Sequence, residues 1–252
     1  LDIQVKPGFL DKWYGDIAAQ YQTKKRYSAA LTASRLSDHD PQMVYAQANN
    51  TNRYVDKTIG STMNRNIDGD GRSQYGSYNY QHNWQTKGTQ QYTGNSFNIS
   101  ANMGHSDGWN TGGQSTETFF PNKEHTFAIK DSYRYKHNLK PQMEARLFAY
   151  ADSINTINVK VKATYEKARK SYEERSASYG YQPDQFAYHS LNEALAAKPG
   201  DALYDRLITR NRNYESSEQQ KRGLNISYEW QHFIGKKGSF TLQGYTNLSG
   251  TD

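Results

Sequence analysis

The sequence predicts an all-β protein: a partial antiparallel up-and-down transmembrane β-barrel of about nine strands, with long extracellular loops. Three observations predict it. Apolar and polar residues alternate along most of the chain, the connections are short at one end and long at the other, and Tyr and Trp gather near segment ends.

The chain has 252 residues, enough for one large β domain or two ordinary ones. Its hydrophobic fraction is 35%, below the roughly 45–50% usual in soluble domains, yet 21 residues are Tyr. Disordered chains lack aromatics, so the balance points to a sheet with much polar surface. The net charge of +6 is scattered, with no basic run longer than Lys24-Lys25-Arg26. A nucleic-acid surface needs clustered bases, so no nucleic-acid partner is expected. The absence of Cys excludes disulfides and thiolate metal sites. No apolar run approaches the roughly 20 residues of a membrane-spanning helix. The chain opens "LDIQVKPGF", already extended and without a signal peptide, as expected of a cytoplasmic protein or of a mature or excised piece.

Taken in order, "KWYGDIAAQYQ" sets Trp13, Gly15, Ile17, Ala19 and Tyr21 against Tyr14, Asp16, Ala18 and Gln20. "RYSAALTASRL" sets Tyr27, Ala29, Leu31 and Ala33 against hydroxyls and Ala30, and residues 41–48 form a shorter third strand. A fourth carries Tyr78, Tyr80, His82 and Trp84 on one side, and a fifth carries Phe97, Ile99, Ala101 and Met103. The sixth, from His125, opposes Phe127, Ile129, Tyr133 and Tyr135 to Lys130, Ser132 and Arg134. Residues 143–166 keep one phase throughout and are expected to be a single long seventh strand. An eighth carries Leu224, Ile226, Tyr228 and Trp230, and a ninth Phe240, Leu242 and Gly244.

The connections after strands two, four, six and eight are short, at 37–40, 85–89, 139–142 and 235–238. Those after three, five and seven are long, at 49–72, 105–122 and about 169–221, with 23–25 the one short exception at that end. This is the arrangement of outer-membrane barrels, with periplasmic turns and extracellular loops. Splitting the seventh strand at Asp152–Asn155 would put the longest loop at the short-turn end, so one strand is expected there. The loop 169–221 is expected to hold short helices, because Ser190 and Glu193 have capping-box spacing and Pro199-Gly200 supplies a break. A soluble sandwich also alternates. Charged residues at successive positions of the polar faces, and Ala and Gly among aromatics on the apolar faces, favour a water-filled lumen and a lipid contact instead.

Chemistry-bearing motifs are few. "NRNIDGDG" offers Asn64, Asn66 and Asp68 to a cation with Gly69 in the turn, but Tyr75 stands where a calcium loop needs its bidentate Glu, so a plain turn is expected. Asp38, His39 and Asp40 lie together in a tight turn whose adjacent residues point apart, which suits a polar turn better than a hydrolase. The other His residues show no paired ligand spacing, and no nucleophile-elbow, zincin or phosphate-loop motif occurs. No enzyme, metal or cofactor is expected. Trp109, Phe119 and Phe120, among Asn, Thr and Ser, are the candidate substrate contacts, by stacking plus hydrogen bonds, against packing of the loop on itself.

"LDIQVKPGF", then "KWYGDIAAQYQTKKRYSAALTASRLSD", then "AQANNTN" resembles the barrel start of TonB-dependent receptors and related outer-membrane proteins of Bacteroidota. The matching features are Leu1–Val5, Trp13-Tyr14-Gly15, Arg26-Tyr27 and residues 47–52, with Gln47 where that family has Asn; "TETFFPNKEHTF" and "KPGDALYDRLITRNRNY" are also similar. The resemblance implies a 22-stranded barrel, an N-terminal plug and energy coupling through a TonB box. On that basis residues 1–11 end the plug or its linker and 12–252 begin the barrel, with the plug before Leu1 and further strands after Asp252. The implied location is the outer membrane. The implied partners are the lipid bilayer, the TonB complex through the plug, and a surface lipoprotein. The implied function is uptake of a glycan, peptide or chelate through a plugged lumen. The rival readings are a soluble or cell-surface β domain binding glycans and an outer-membrane hydrolase.

Overall fold

Turn chemistry decides where this alternating ribbon folds back. In the computed structural model, residues 11–23, 25–51, 53–58, 61–66, 70–84, 94–121, 125–181, 189–235 and 238–252 are described. The strands are β1 (Lys12–Gln22), β2 (Arg26–Leu36), β3 (Gln42–Asn49), β4 (Arg53–Thr58), β5 (Ser61–Asn66), β6 (Asp70–Trp84), β7 (Asn95–Phe119), β8 (His125–Tyr150), β9 (Asn155–Tyr181), β10 (Leu207–Ile234) and β11 (Gly238–Thr251). Nine of them form one antiparallel sheet in the order β1-β2-β3-β6-β7-β8-β9-β10-β11, while β4 and β5 pair as a separate hairpin. Every strand of the large sheet neighbours the next in sequence, as a meander requires. The sheet is open: β1 and β11 are its edges, and it does not close into a barrel.

The expected single strand over 143–166 is two. Asp152 makes the turn: its carboxylate accepts from Ile154 N and Asn155 Nδ2, each at 2.9 Å, and Ala151 N donates to Asn155 O at 2.9 Å. Short Asp side chains favour such turns because they bond their own backbone two residues on. The same hydrogen bonds hold the Asp152 carboxyl below its usual range, the Ile154 amide chief among them. Conversely, the expected turn at 139–142 lies inside β8. Its ladder to β7 runs straight through Lys140 and Pro141, while the ladder to β9 omits both, since proline has no donor to give. The two errors cancel in the parity of the meander. Connections 23–25, 50–69, 120–124 and 182–206 all fall at one end, here the upper end, and 37–41, 85–94, 151–154 and 235–237 at the lower.

The loops are shorter than their composition predicts. Residues 105–119 continue β7, and 169–181 and 207–221 continue β9 and β10, so these strands reach 25, 27 and 28 residues. Gly and Ser at alternate positions of β7 do not end the strand, because β6 as far as Trp109 and β8 up to Phe119 keep its backbone paired. The expected helices reduce to one turn and a half. The helix α1 (Leu191–Ala196) carries the full capping box between Ser190 and Glu193, and a 3₁₀ turn spans Tyr204–Arg206. Pro199-Gly200 does break the chain there, with Gly200 at φ +99°.

The core is small and lies at the upper end. Leu191 and Ala194 of α1 pack on Ile129 of β8 and on Ala177, Tyr179 and Tyr181 of β9, with Phe127, Leu195, Leu203 and Leu207 around them. Arg210 Nη1 donates to Ala197 O at 3.0 Å and ties this pad to β10. Below it the described residues of the large sheet form a single layer.

Candidate functional site

A single-layered sheet presents two faces, and the register assigns each residue to one of them. Following Cα partners across all nine strands gives one continuous row: Gly15, Ala33, Val44, Tyr78, Ala101, Met143, Ala163, Leu224, Leu248. Every member is apolar or Tyr. Alternate positions along β8, from Leu139 through Pro141, Met143, Ala145 and Leu147 to Ala149, extend the same face over ten residues. That is about 33 Å of strand, or about 25 Å of height at the tilt barrels adopt. On this face Ile17 is 81% exposed, Leu248 59% and Met103 51%, while Ala33, Val44, Ala101 and Leu224 are half-buried.

The band does not run parallel to the rows. Its lower limit passes from Trp13 on β1 to Phe240 on β11, three rows further down, and its upper limit from Tyr21 to Leu248, again three rows. A slip of six residues, about 20 Å, across eight inter-strand spacings of about 4.8 Å is a slope of roughly 27°. Strands inclined to a level apolar layer would give such a slope; those of closed barrels tilt by 35–45°.

The opposite face is mostly polar, with the aromatic pair Tyr45–Tyr75 buried on it. Along β7 it reads Ser96, Asn98, Ser100, Asn102, Gly104 and Ser106. Between β8 and β9 it carries Lys–Glu pairs: Lys160–Glu144 and Lys140–Glu166 at 2.9 Å, and Lys130–Glu174 at 2.8 Å. Glu229 accepts from Gln243 at 3.0 Å, and Arg146 donates to Asn158 at 3.0 Å. Asn102, Lys140, Gln142, Glu166, Lys221 and Asn225 line a groove of about 500 Å³ on this face. Glu144, for one, is a single peptide away from Met143, which is 48% exposed on the other face, so the two faces of the sheet differ sharply in polarity.

One polar knot stands just above the band on its outer side. Asp107 of β7 is 2% exposed and bridges three strands. It accepts from Arg72 Nε of β6 at 2.7 Å and from Tyr135 OH and His137 Nδ1 of β8 at 2.9 and 2.8 Å, with His105 Nε2 3.6 Å away. Burial alone would raise the Asp107 carboxyl; the hydrogen bonds from His137, Arg72 and Tyr135 outweigh it and hold the group down at about 2. The ligand atoms of His105, Asp107 and His137 lie within 4.8 Å of one another. The pairing of His105 with His137 spans 32 positions and escaped the spacing rule; the alternation His105-x-Asp107 and Tyr135-x-His137 is the signal that finds it. The Arg72 guanidinium already supplies the cation that carboxylate needs, so the knot reads as a latch across β6, β7 and β8.

Two smaller knots mark the strand ends. At the lower end Asp40 accepts from His82 Nδ1 at 2.6 Å and from Tyr80 OH at 2.9 Å, bonds that hold it below the usual carboxylate range, His82 first. His39 Nδ1 contacts Asn83 O at 3.3 Å and Asp38 O accepts from Asn83 Nδ2 at 3.5 Å, so the turn 37–40 is tied to β6. At the upper end Glu117 accepts from Tyr181 OH and from His125 Nδ1, which lower its carboxyl, Tyr181 chiefly. Burial, then Glu117, pushes the Tyr181 hydroxyl up to about 12.

The candidate contacts are not brought together. Trp109 pairs with Asp70 and Tyr135 in mid-strand, one outward position above Asp107. Phe119 ends β7, 66% exposed, with its ring edge-on to His125 at 4.6 Å, and Phe120 follows it. Ten residues of strand, about 33 Å, separate Trp109 from Phe119. Of the cation-loop residues, Asn64 and Asn66 belong to β5 and Tyr75 to β6, while Asp68 and Gly69 lie outside the described residues. No family model, no curated protein and no solved structure matches this chain.

Proposed function

We propose that this sheet is a stretch of wall of an outer-membrane transport barrel, with hydrocarbon against the Met143–Ala163 face and water against the Glu144–Lys160 face. The uncovered apolar band carries the reading. Water would charge roughly 25 cal/mol for each Å² of it, and within the described residues no second layer covers it. Its height suits a bilayer, and its slope suits tilted strands. In hydrocarbon every backbone N–H and C=O must be paired, so the open edges β1 and β11 require further strands that close the wall.

The finer reading is TonB-dependent uptake of a nutrient through a plugged lumen, and the TonB-receptor resemblance supports it together with the long strands standing above the band at the loop end. The wall's own share of the work is physical. Amide, hydroxyl and paired charges of the inner face exchange hydrogen bonds with a passing polar solute as readily as with water, and no bond is broken.

The four tryptophans test this. Trp13, Trp84 and Trp230 border the band from below, whereas Trp109 stands above it on the outer face. In membranes prepared with brominated lipid, fluorescence from Trp13, Trp84 and Trp230 is expected to be quenched and that of Trp109 spared. Recovery of the complete protein in the aqueous fraction, with none of the four quenched, would overturn the proposal.

A further inference from the structure

Resting on the reading of the sheet as a membrane wall, we infer that its outer face holds a seat for one phosphate-bearing anionic lipid. Its acyl chain lies in a hollow over Gly76, Ala101 and Ala163, and its phosphate sits against Lys167, Arg169 and Arg222. Most of the band would meet lipid as a fluid layer. Here the face carries a shallow, widely open recess of about 660 Å³, floored by those three small residues and walled by Tyr78, Met143 and Tyr165. The hollow exists because a side chain is missing: a Cβ on Gly76 would find no atom closer than Tyr45 O at 4.0 Å.

Charge tops the hollow on one side. Tyr165, which walls it, is the Cα partner of Arg222, and Lys167 and Arg169 are the next two side chains above Tyr165 on the same face of β9. Lys167 is held to Glu218 at 2.7 Å, and Arg222 approaches Asp252 only to 3.8 Å with 67% of its side chain exposed. Arg169 is exposed and makes no ion pair among the described residues. On the other side of the hollow, the charges of Arg72 and Asp107 cancel each other. Three cations therefore face two carboxylates at the height where headgroups lie, directly over an acyl-sized recess. A phosphate with a single net negative charge fits that excess, and an apolar chain fits the recess. A zwitterionic headgroup satisfies only the second.

The test uses the complete protein, delipidated in detergent and offered phosphatidylglycerol or phosphatidylcholine, with bound lipid counted by native mass spectrometry. One phosphatidylglycerol is expected to be retained in preference to phosphatidylcholine. Each basic residue near a membrane surface is worth about five-fold in anionic lipid affinity, so the double substitution Arg169→Glu with Arg222→Glu, which removes two cations and adds two anions, is expected to lower phosphatidylglycerol binding by more than about 25-fold and leave phosphatidylcholine unchanged. Gly76→Leu, which fills the recess, is expected to lower both. Equal retention of the two lipids, a preference that survives the double reversal, displacement by millimolar inorganic phosphate, or a second copy of the protein in place of lipid would each overturn the seat while leaving the wall intact. A protein that needs no detergent would overturn wall and seat together.

Discussion

The same face of the same two strands is treated in opposite ways at its two ends. Near the top of β8 and β9, Ile129 is 7% exposed, Ala177 and Tyr179 2%, under α1. Fourteen residues down β8, about 46 Å along the strand, Met143 is 48% exposed and Leu147 36%, with nothing over them. Composition does not explain the difference, since both patches mix aromatics with Ala and branched aliphatics. Location does. Where apolar side chains stand among loops, the chain spends a capped helix on covering them, and Ala194 of that helix is 0% exposed. Where they form the sloping band, the described residues supply no cover, which is consistent with a surrounding solvent other than water. A glycan-binding soluble domain would have to explain why one patch is sheltered and the larger one left bare.

The contrast can be broken most sharply in the middle of the band. Ala163→Arg is expected to cost about 3 kcal/mol in lipid, the depth-dependent penalty for a cation near the midplane of a barrel wall. Ser100→Arg, facing Glu144 on the wet side, is expected to change stability by less than about 1 kcal/mol. Urea unfolding of both variants in vesicles measures the difference; equal costs would mean that the two faces see one solvent.

Between the two regions lies Asp107, whose Cα partner His137 falls between Ile129 and Met143 on β8, and acid should loosen its contacts. Its carboxyl, at about 2 when folded against 3.8 in the unfolded chain, contributes stability that is present above pH 4 and lost as pH falls towards 2. The loss is expected to be about 2 kcal/mol, read as the amount by which Asp107→Asn reduces the stability difference between pH 5 and pH 2. The smallest effect belongs to the pad. Ser190→Ala removes the oxygen that accepts from Glu193 N, and about 1 kcal/mol of local stability should go with it. Amide exchange at 191–196 should speed up while membrane extraction and the band stay unchanged.

Much of this was legible from residue order. Alternation assigned the two faces along the large sheet, although it merged the lower parts of β8 and β9 into one strand, because side chains of an extended chain point alternately to either side whatever surrounds them. Ser190 and Glu193 announced their helix, since a capping box is a contact between residues three apart. Strand limits were not legible. Gly108, Gly112 and Gly113 read as loop, yet β7 runs through them because β6 or β8 on either flank pairs the backbone. Pro141 read as a turn and is strand; Asp152 read as strand and is a turn, a choice between two weak local signals that neighbouring ladders decide.

What the sequence by itself determined is the two-faced ribbon and the end at which its long connections lie, for both follow from period and parity. What only the tertiary structure decided is whatever joins residues far apart in the chain: the Arg72–Asp107–His137 latch, the pad under α1, the slope of the band and the recess over Gly76. Register sets all four, and register is a property of paired strands that no single strand carries.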